Sequence, residues 1–237
     1  MIKSPDWFML DGESSEKYGV YVDTPPMPPM PERKRTVYSL VDGEESGTVQ
    51  ENAWEDVTIP IKCYVFSSTY EPSEFYGWLQ NKKILQTSTH KNYVYRVKHV
   101  LGVQPEKQEE GKNLLTVSFV CSPFRYRADN EVIDIANGEA VECWGYLYAR
   151  PIISAVTTSD TAEITINGEK FALNIPSNTN ITINSEKMLV YGSDGTVYNQ
   201  LTEGKFPLLS VTGEDEYNII RYTGLTDVRM RKNERWL

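Results

Sequence analysis

Apolar and polar side chains alternate along most of this chain. In TIPIKCYVF (Thr58 to Phe66), Ile59, Ile61, Cys63 and Val65 fall at every second position, the period of a strand with one buried face. Pro60 has no N–H to give a ladder, which demotes this strand, or its first part, to an edge or a bulge. YGVYVDT (Tyr18 to Thr24) and TVYSLV (Thr36 to Val41) alternate in the same way, and YVYRVKHV (Tyr93 to Val100) with NLLTVSFVC (Asn113 to Cys121) reads as a hairpin. The polar GVQPEKQEEGK between the last two is read as a solvated loop.

One segment changes period. EPSEFYGWLQNKK (Glu71 to Lys83) starts on Pro72 and Ser73, then spaces Phe75, Trp78 and Leu79 at i, i+3 and i+4. This predicts a helix over about 72–83, with Lys82 and Lys83 near its C-terminal end and Trp78 in the core; a ligand-stacking role for Trp78 is the lesser reading. From about Asn130 the pattern is strands only. Asn137-Gly138, Asn167-Gly168 and Asp194-Gly195 are hairpin signals, because both residues of such a pair tolerate positive φ. AEITINGEKFAL (Ala162 to Leu173) is the clearest hairpin, and NITINSEKMLVYGSDGTVYN (Asn180 to Asn199) repeats the design with a longer turn. The chain therefore reads as mainly β in two domains: 1–130, β with one short helix, and 131–237, a β-sandwich. The last strand is a candidate to pack back on the N-terminal domain.

Between two of the predicted strands lies TPPMPPMPERKR (Thr24 to Arg35), where five of the seven residues Pro25 to Pro31 are proline. Pro28 to Arg33 fits PxxPxR, a pattern that docks polyproline helices into aromatic grooves. Display peptides sit in disordered polar tails, whereas this run is bounded by strands. Proline fixes φ and removes donors, so the run reads as a stiff, ordered connector, with Met27 and Met30 offering adaptable apolar contacts.

Composition narrows the function. The 237 residues carry a net charge of −9 and a pI near 4.9, which argues against nucleic-acid or anionic-membrane binding as the main task. MIKSPDWFML lacks the apolar core of a secretory signal, and no stretch approaches the ~18 apolar residues of a membrane span. Cys63, Cys121 and Cys143 lack zinc-site spacing and read as small core residues in a reducing cytosol. His90 and His99 have no Cys, Asp or Glu at ligand spacing, so exposed or hydrogen-bonded histidines on a sheet face is the preferred reading. No GxSxG, Walker loop or GxGxxG occurs, and the acidic pairs Glu44-Glu45, Glu109-Glu110 and Asp215-Glu216 lie in turn-like polar stretches. No catalytic residue, metal ligand or cofactor is expected. In ECWGYLYARP, Trp144, Tyr146 and Tyr148 recur at period two, which suits a carbohydrate platform, a sandwich interior or a subunit contact alike. The basic RMRKNERWL ends on Trp236 and Leu237, whose burial would tie the segment down.

Several phrases, in order, resemble the distal tail proteins (Dit) of siphophages and prophages of Gram-positive bacteria. They begin with DWFMLDGESSEKYGVYVDTPPMPPMPERKR and AWEDVTIPIKCYV, continue through FYGWLQ and VSFVCSPFRYR, and run on to ARPIISAV, ITINGEKFAL, ITINSEKMLVY, EGKFPLL and the terminal RWL. One departure is VDGEESGTVQE (Val41 to Glu51), where the family often carries an Arg-Asp-Gly-type turn.

The resemblance implies a split-barrel-like N-terminal domain that forms a hexameric ring and a galectin-like C-terminal sandwich that projects outward. The implied role is a structural hub of the tail tip or baseplate, assembled in the host cytoplasm and carried in the virion. Its implied partners are its own copies in a homo-hexamer, the tail tube protein, the tail-associated lysin or tail-tip protein and a receptor-binding protein. No membrane insertion and no specific nucleic-acid binding is implied; an acidic channel would let DNA pass because it repels phosphate. Within this frame Pro25, Met27, Pro28, Met30, Pro31 and Arg33 are expected at a subunit or partner contact. The alternative is a carbohydrate-binding adhesion module that recognises host cell-wall saccharide through Trp144, Tyr146 and Tyr148 or nearby loops.

Overall fold

The computed structural model describes residues 5–38, 48–66, 70–109, 112–213 and 216–237. It divides into two compact units, Met1–Ala128 with Leu237, and Asp129–Trp236, close to the expected boundary at 130. Most of the Val41 to Glu51 segment, with both residues of Glu44-Glu45, and also Glu110 and Asp215 from the other two acidic pairs, lie outside the described residues. No described helix is long and apolar enough to cross a membrane.

The first unit contains β1 (Phe8–Leu10), β2 (Glu13–Ser14), β3 (Val20–Val22), β4 (Arg33–Tyr38), β5 (Thr48–Trp54), β6 (Val57–Val65), α1 (Pro72–Leu79), β7 (Ile84–Thr87), β8 (Tyr93–Glu109) and β9 (Lys112–Arg127). Seven of these strands form one open sheet in the order β2-β1-β7-β8-β9-β6-β3, and β4 and β5 form a separate two-stranded ladder. The alternation in β6 buries Ile59, Ile61, Cys63 and Val65 completely or nearly so. Each side chain so buried contributes about 1.5–3 kcal/mol before the entropy of ordering is charged against it. Pro60 pairs with Ser118 of β9, while β3 reaches only Cys63 to Val65 on the other side. The first part of β6 is thus the edge that its proline requires.

Helix α1 begins as expected, with Pro72 in its first turn and the Glu71 carboxylate accepting from the Ser73 N–H. Phe75, Trp78 and Leu79 are buried, and Trp78 stacks on Tyr18 at 4.8 Å, so Trp78 is core. The helix ends earlier than expected. Gln80 is extended and Asn81 turns left-handed (φ 59), while the Asp11 carboxylate accepts from the Lys83 and Ile84 N–H groups. Lys82 and Lys83 therefore lie beyond the helix. The stretch read as a loop around Gln108 is also different: β8 and β9 stay paired to Glu109↔Lys112, making a hairpin of 17 and 16 residues.

The second unit contains β10 (Val132–Asp134), β11 (Glu139–Val141), β12 (Ile152–Thr157), β13 (Ala162–Ile166), β14 (Glu169–Leu173), β15 (Asn180–Asn184), β16 (Leu189–Gly192), β17 (Thr202–Gly204), β18 (Asn218–Thr223) and β19 (Leu225–Arg231). They form two five-stranded sheets, β10-β19-β12-β15-β16 and β11-β18-β13-β14-β17. One cluster that includes Ile153, Ile183, Met230, Ile164, Phe171 and Ile220 joins their inner faces, so the unit is a β-sandwich. Asn167 (φ 53) and Gly168 (φ 85) close the β13–β14 hairpin as predicted. Asn137-Gly138 does not close a hairpin. It carries the chain from β10 in one sheet to β11 in the other. The last strand, β19, is a central strand of its own sheet, between β10 and β12.

Candidate functional site

Two surfaces hold the residues singled out in the sequence, one on each unit. On the first, the chain leaves β3 and runs through Pro25 to Glu32 without joining a ladder. It is anchored at intervals. The Asp23 N–H donates to the Lys62 carbonyl at 2.9 Å, the Thr89 hydroxyl donates to the Pro26 carbonyl at 2.8 Å, and Glu55 N–H donates to the Glu32 carbonyl at 2.8 Å. Pro26 and Pro31 are buried and Pro25 is exposed. Met27 and Met30 are 79% and 70% exposed, so the anchored run displays two flexible apolar side chains to solvent. Arg33 opens β4, with its guanidinium 4.6 Å from the centre of the Trp54 ring.

Beneath Pro28 to Pro31 lies a cavity of about 260 Å³ whose lining includes His90, Tyr95, Pro123 and Arg125. The Tyr95 hydroxyl is 2.8 Å from Nδ1 of His90, and Arg125 Nη1 lies 3.3–3.4 Å from both ring nitrogens. Burial, then the adjacent guanidinium, holds His90 below its ordinary value of 6.5. The neutral ring can then accept from Tyr95. His99 is exposed on β8, so the two histidines share no site. Thr89, His90, Tyr95 and Arg125 had no local signal of this role; they meet the proline run through contacts such as Thr89–Pro26, 63 residues apart.

On the second unit, Trp144, Tyr146 and Tyr148 are 59%, 69% and 43% exposed, while Val141, Cys143, Gly145 and Ala149 between and around them are buried. The segment is not a regular strand, with only isolated bridges at Leu147 and Ala149, yet all three rings are exposed, so the sandwich-interior alternative does not hold. The segment is fixed on both sides. Cys143 and Thr212 exchange hydrogen bonds of 3.0 Å, and Ala149 pairs with Leu209. On the other side the Glu234 carboxylate accepts from the Trp144 N–H at 2.8 Å, the Tyr146 N–H donates to the Arg235 carbonyl at 2.7 Å, and Arg235 donates to the Tyr148 carbonyl. Gly145 makes this approach possible, because a Cβ there would lie 2.9 Å from the Arg235 carbonyl oxygen.

The buried Glu234 is balanced by Lys232 at 3.0 Å, as a charge out of water requires. The ring tips are held as well. Trp144 Nε1 donates to Glu142 at 3.0 Å, and Arg150 donates to the Tyr148 hydroxyl at 3.3 Å, which lowers that phenol below its ordinary value. Asn233, Glu234 and Arg235 are buried and Trp236 is half-buried, so the segment is tied down chiefly by residues before its terminal pair.

Among the described residues no group of three or more His, Cys, Asp or Glu side chains is placed to hold a metal. The three cysteines are buried and unpaired by disulfides. Both surfaces combine ordered backbone, displayed apolar groups and polar groups already committed to holding them.

No protein-family model matches the sequence, and no curated protein sequence matches it either. Among solved structures the fold is similar to that of SPP1 Dit (gp 19.1), described as a paradigm of hub adsorption apparatus in Gram-positive infecting phages. The match has a TM-score of 0.74 at 12% identity and covers 98% of this chain and 99% of that one. The chain thus has a Dit-like β fold over nearly its whole length.

Proposed function

We propose that this protein is a structural hub of a siphophage tail tip, closing into a ring that joins the tail tube to the tail-tip protein. The observation that carries this reading is the end-to-end likeness of both units, in one order, to a phage hub protein. A ring needs a head-to-tail contact between unlike patches of identical chains, repeated with a rotation that closes. The anchored proline run, with Pro25, Met27, Pro28, Met30, Pro31 and Arg33, supplies one such patch on the first unit. It is held at low entropic cost and shows apolar groups that a neighbour can cover. Trp144, Tyr146 and Tyr148 supply a second docking face, suited to a receptor-binding protein. Exposed, pre-oriented Trp and Tyr are the residues that dominate protein interfaces. The work of the protein is docking rather than catalysis, and its place is the virion.

Light scattering after size exclusion, followed by negative-stain imaging, tests the reading. The expected result is a six-fold ring with a central hole. A chain that stays monomeric at high concentration, alone and with its tail-tube and tail-tip proteins, would overturn it.

A further inference from the structure

A different face of the second unit carries a site that neither docking surface uses. On the solvent side of the β10-β19-β12-β15-β16 sheet, the registers align one polar row across all five strands. Asp134 lies opposite Arg229, Arg229 opposite Ser154, Ser154 opposite Thr182, and Thr182 opposite Tyr191. Beside this row the β12–β19 pairing slips: Ser154 pairs with Arg229 but Val156 with Thr226, so Asp227 and Val228 together oppose Ala155. This is a β-bulge, with Asp227 left-handed at φ 50.

The bulge opens a groove of about 310 Å³ lined by Ser154, Asn180, Thr182, Ser193, Asp227 and Arg229 among others. That volume is at the small end of the roughly 300–1,000 Å³ typical of small-molecule sites.

The hydrogen-bonding capacity of the groove is unspent. The side chains of Ser154, Asn180, Thr182, Ser193 and Asp227 make no hydrogen bond to any described residue, although Ser154 and Thr182 are half-buried. Arg229 gives its Nε–H to Asp134 at 3.1 Å, which orients the guanidinium and leaves its other donors. The strands beneath, β19, β12 and β15, each have a neighbouring strand on both sides, so a peptide could not add as a further strand. An anion would meet the Asp227 carboxylate and an arginine already shared with Asp134. What remains is a neutral ligand dense in hydroxyls, able to accept from a guanidinium and an amide and to donate to a carboxylate. Neighbouring strands place these groups ~4.8 Å apart, a spacing comparable to that of hydroxyls on opposite edges of one sugar ring.

We propose that this groove binds a neutral pyranose sugar through Ser154, Thr182, Asp227 and Arg229. The inference concerns the second unit alone and does not rest on the hub reading. It is tested on the full-length, ¹⁵N-labelled protein by titration with glucose, galactose and N-acetylglucosamine in turn. At least one sugar is expected to shift the amides of 154–156, 180–182 and 227–229 in a saturable manner. Ser154→Ala with Thr182→Val, or Asp227→Asn alone, should weaken that binding about tenfold or more, the factor attached to one lost hydrogen bond. Trp144→Ala should leave it unchanged, and unchanged amide shifts elsewhere in each variant confirm that the fold is intact. If none of the three sugars moves these amides, the proposal fails. It fails equally if the shifts centre on Trp144 to Tyr148 or survive both groove variants.

Discussion

Burial decides the chemistry of single residues in this protein. Cys121 is pushed up to about 12 by burial, and Cys63 and Cys143 are raised for the same reason. A thiol-selective maleimide at neutral pH should therefore label no cysteine in the native protein and all three after denaturation, as counted by intact mass. His90 gives a pH dependence whose sign follows from its environment. Its folded value is lowered, so its contribution to stability is complete above the unfolded value near 6.5 and is lost as pH falls through the lowered folded value. The melting temperature of the first unit should fall as pH drops below about 6.5, and His90→Gln should flatten that slope. A slope unchanged by the substitution would remove His90 as its source.

Elements were legible where one periodicity ruled, and misread where a distant residue intervened. The stripe Phe75, Trp78, Leu79 foretold α1 and its buried face. Its end was not legible, because the N–H groups that would have continued toward Lys83 are taken by Asp11, 72 residues earlier in the chain. The charged stretch before Lys112 looked like a loop since strand pairing there rests on backbone groups, which polar residues serve as well as apolar ones. Asn137-Gly138 was read as a hairpin signal but crosses between sheets, since a turn signal does not specify the partner of the next strand. The outward set Trp144, Tyr146, Tyr148 was legible from spacing; which side it faced was settled only by the 208–212 and 232–235 segments on either side. Gly145→Ala tests that clamp. With no room for a Cβ beside Arg235, it should cost about 1–3 kcal/mol in chemical denaturation and broaden the Trp144 emission.

At the scale of the whole molecule, a Dit-like fold was anticipated from ordered phrases along the chain. The groove on the second sheet was not, because it arises from the register of strands far apart in sequence and from one bulge. The hub reading makes its own demand on the first unit. Met27→Asp with Met30→Asp places charge on side chains that touch little in the isolated chain, so the monomer's stability should change by no more than about 0.5 kcal/mol. The same variant should lose ring assembly in light scattering, since an apolar contact cannot cover two carboxylates cheaply. Assembly unaffected by both charges would move the subunit contact away from the proline run.

The clamp on the aromatic strip also bears on the order of events during synthesis. Trp144, Tyr146 and Tyr148 emerge from the ribosome some 90 residues before the Glu234 and Arg235 that hold their backbone in place. Until those residues arrive, the strip has its rings but not the contacts that fix its backbone. A chain cut short before Glu234 has the sequence of the strip without that clamp, so a partner that reads the strip would bind incomplete copies less well than whole ones.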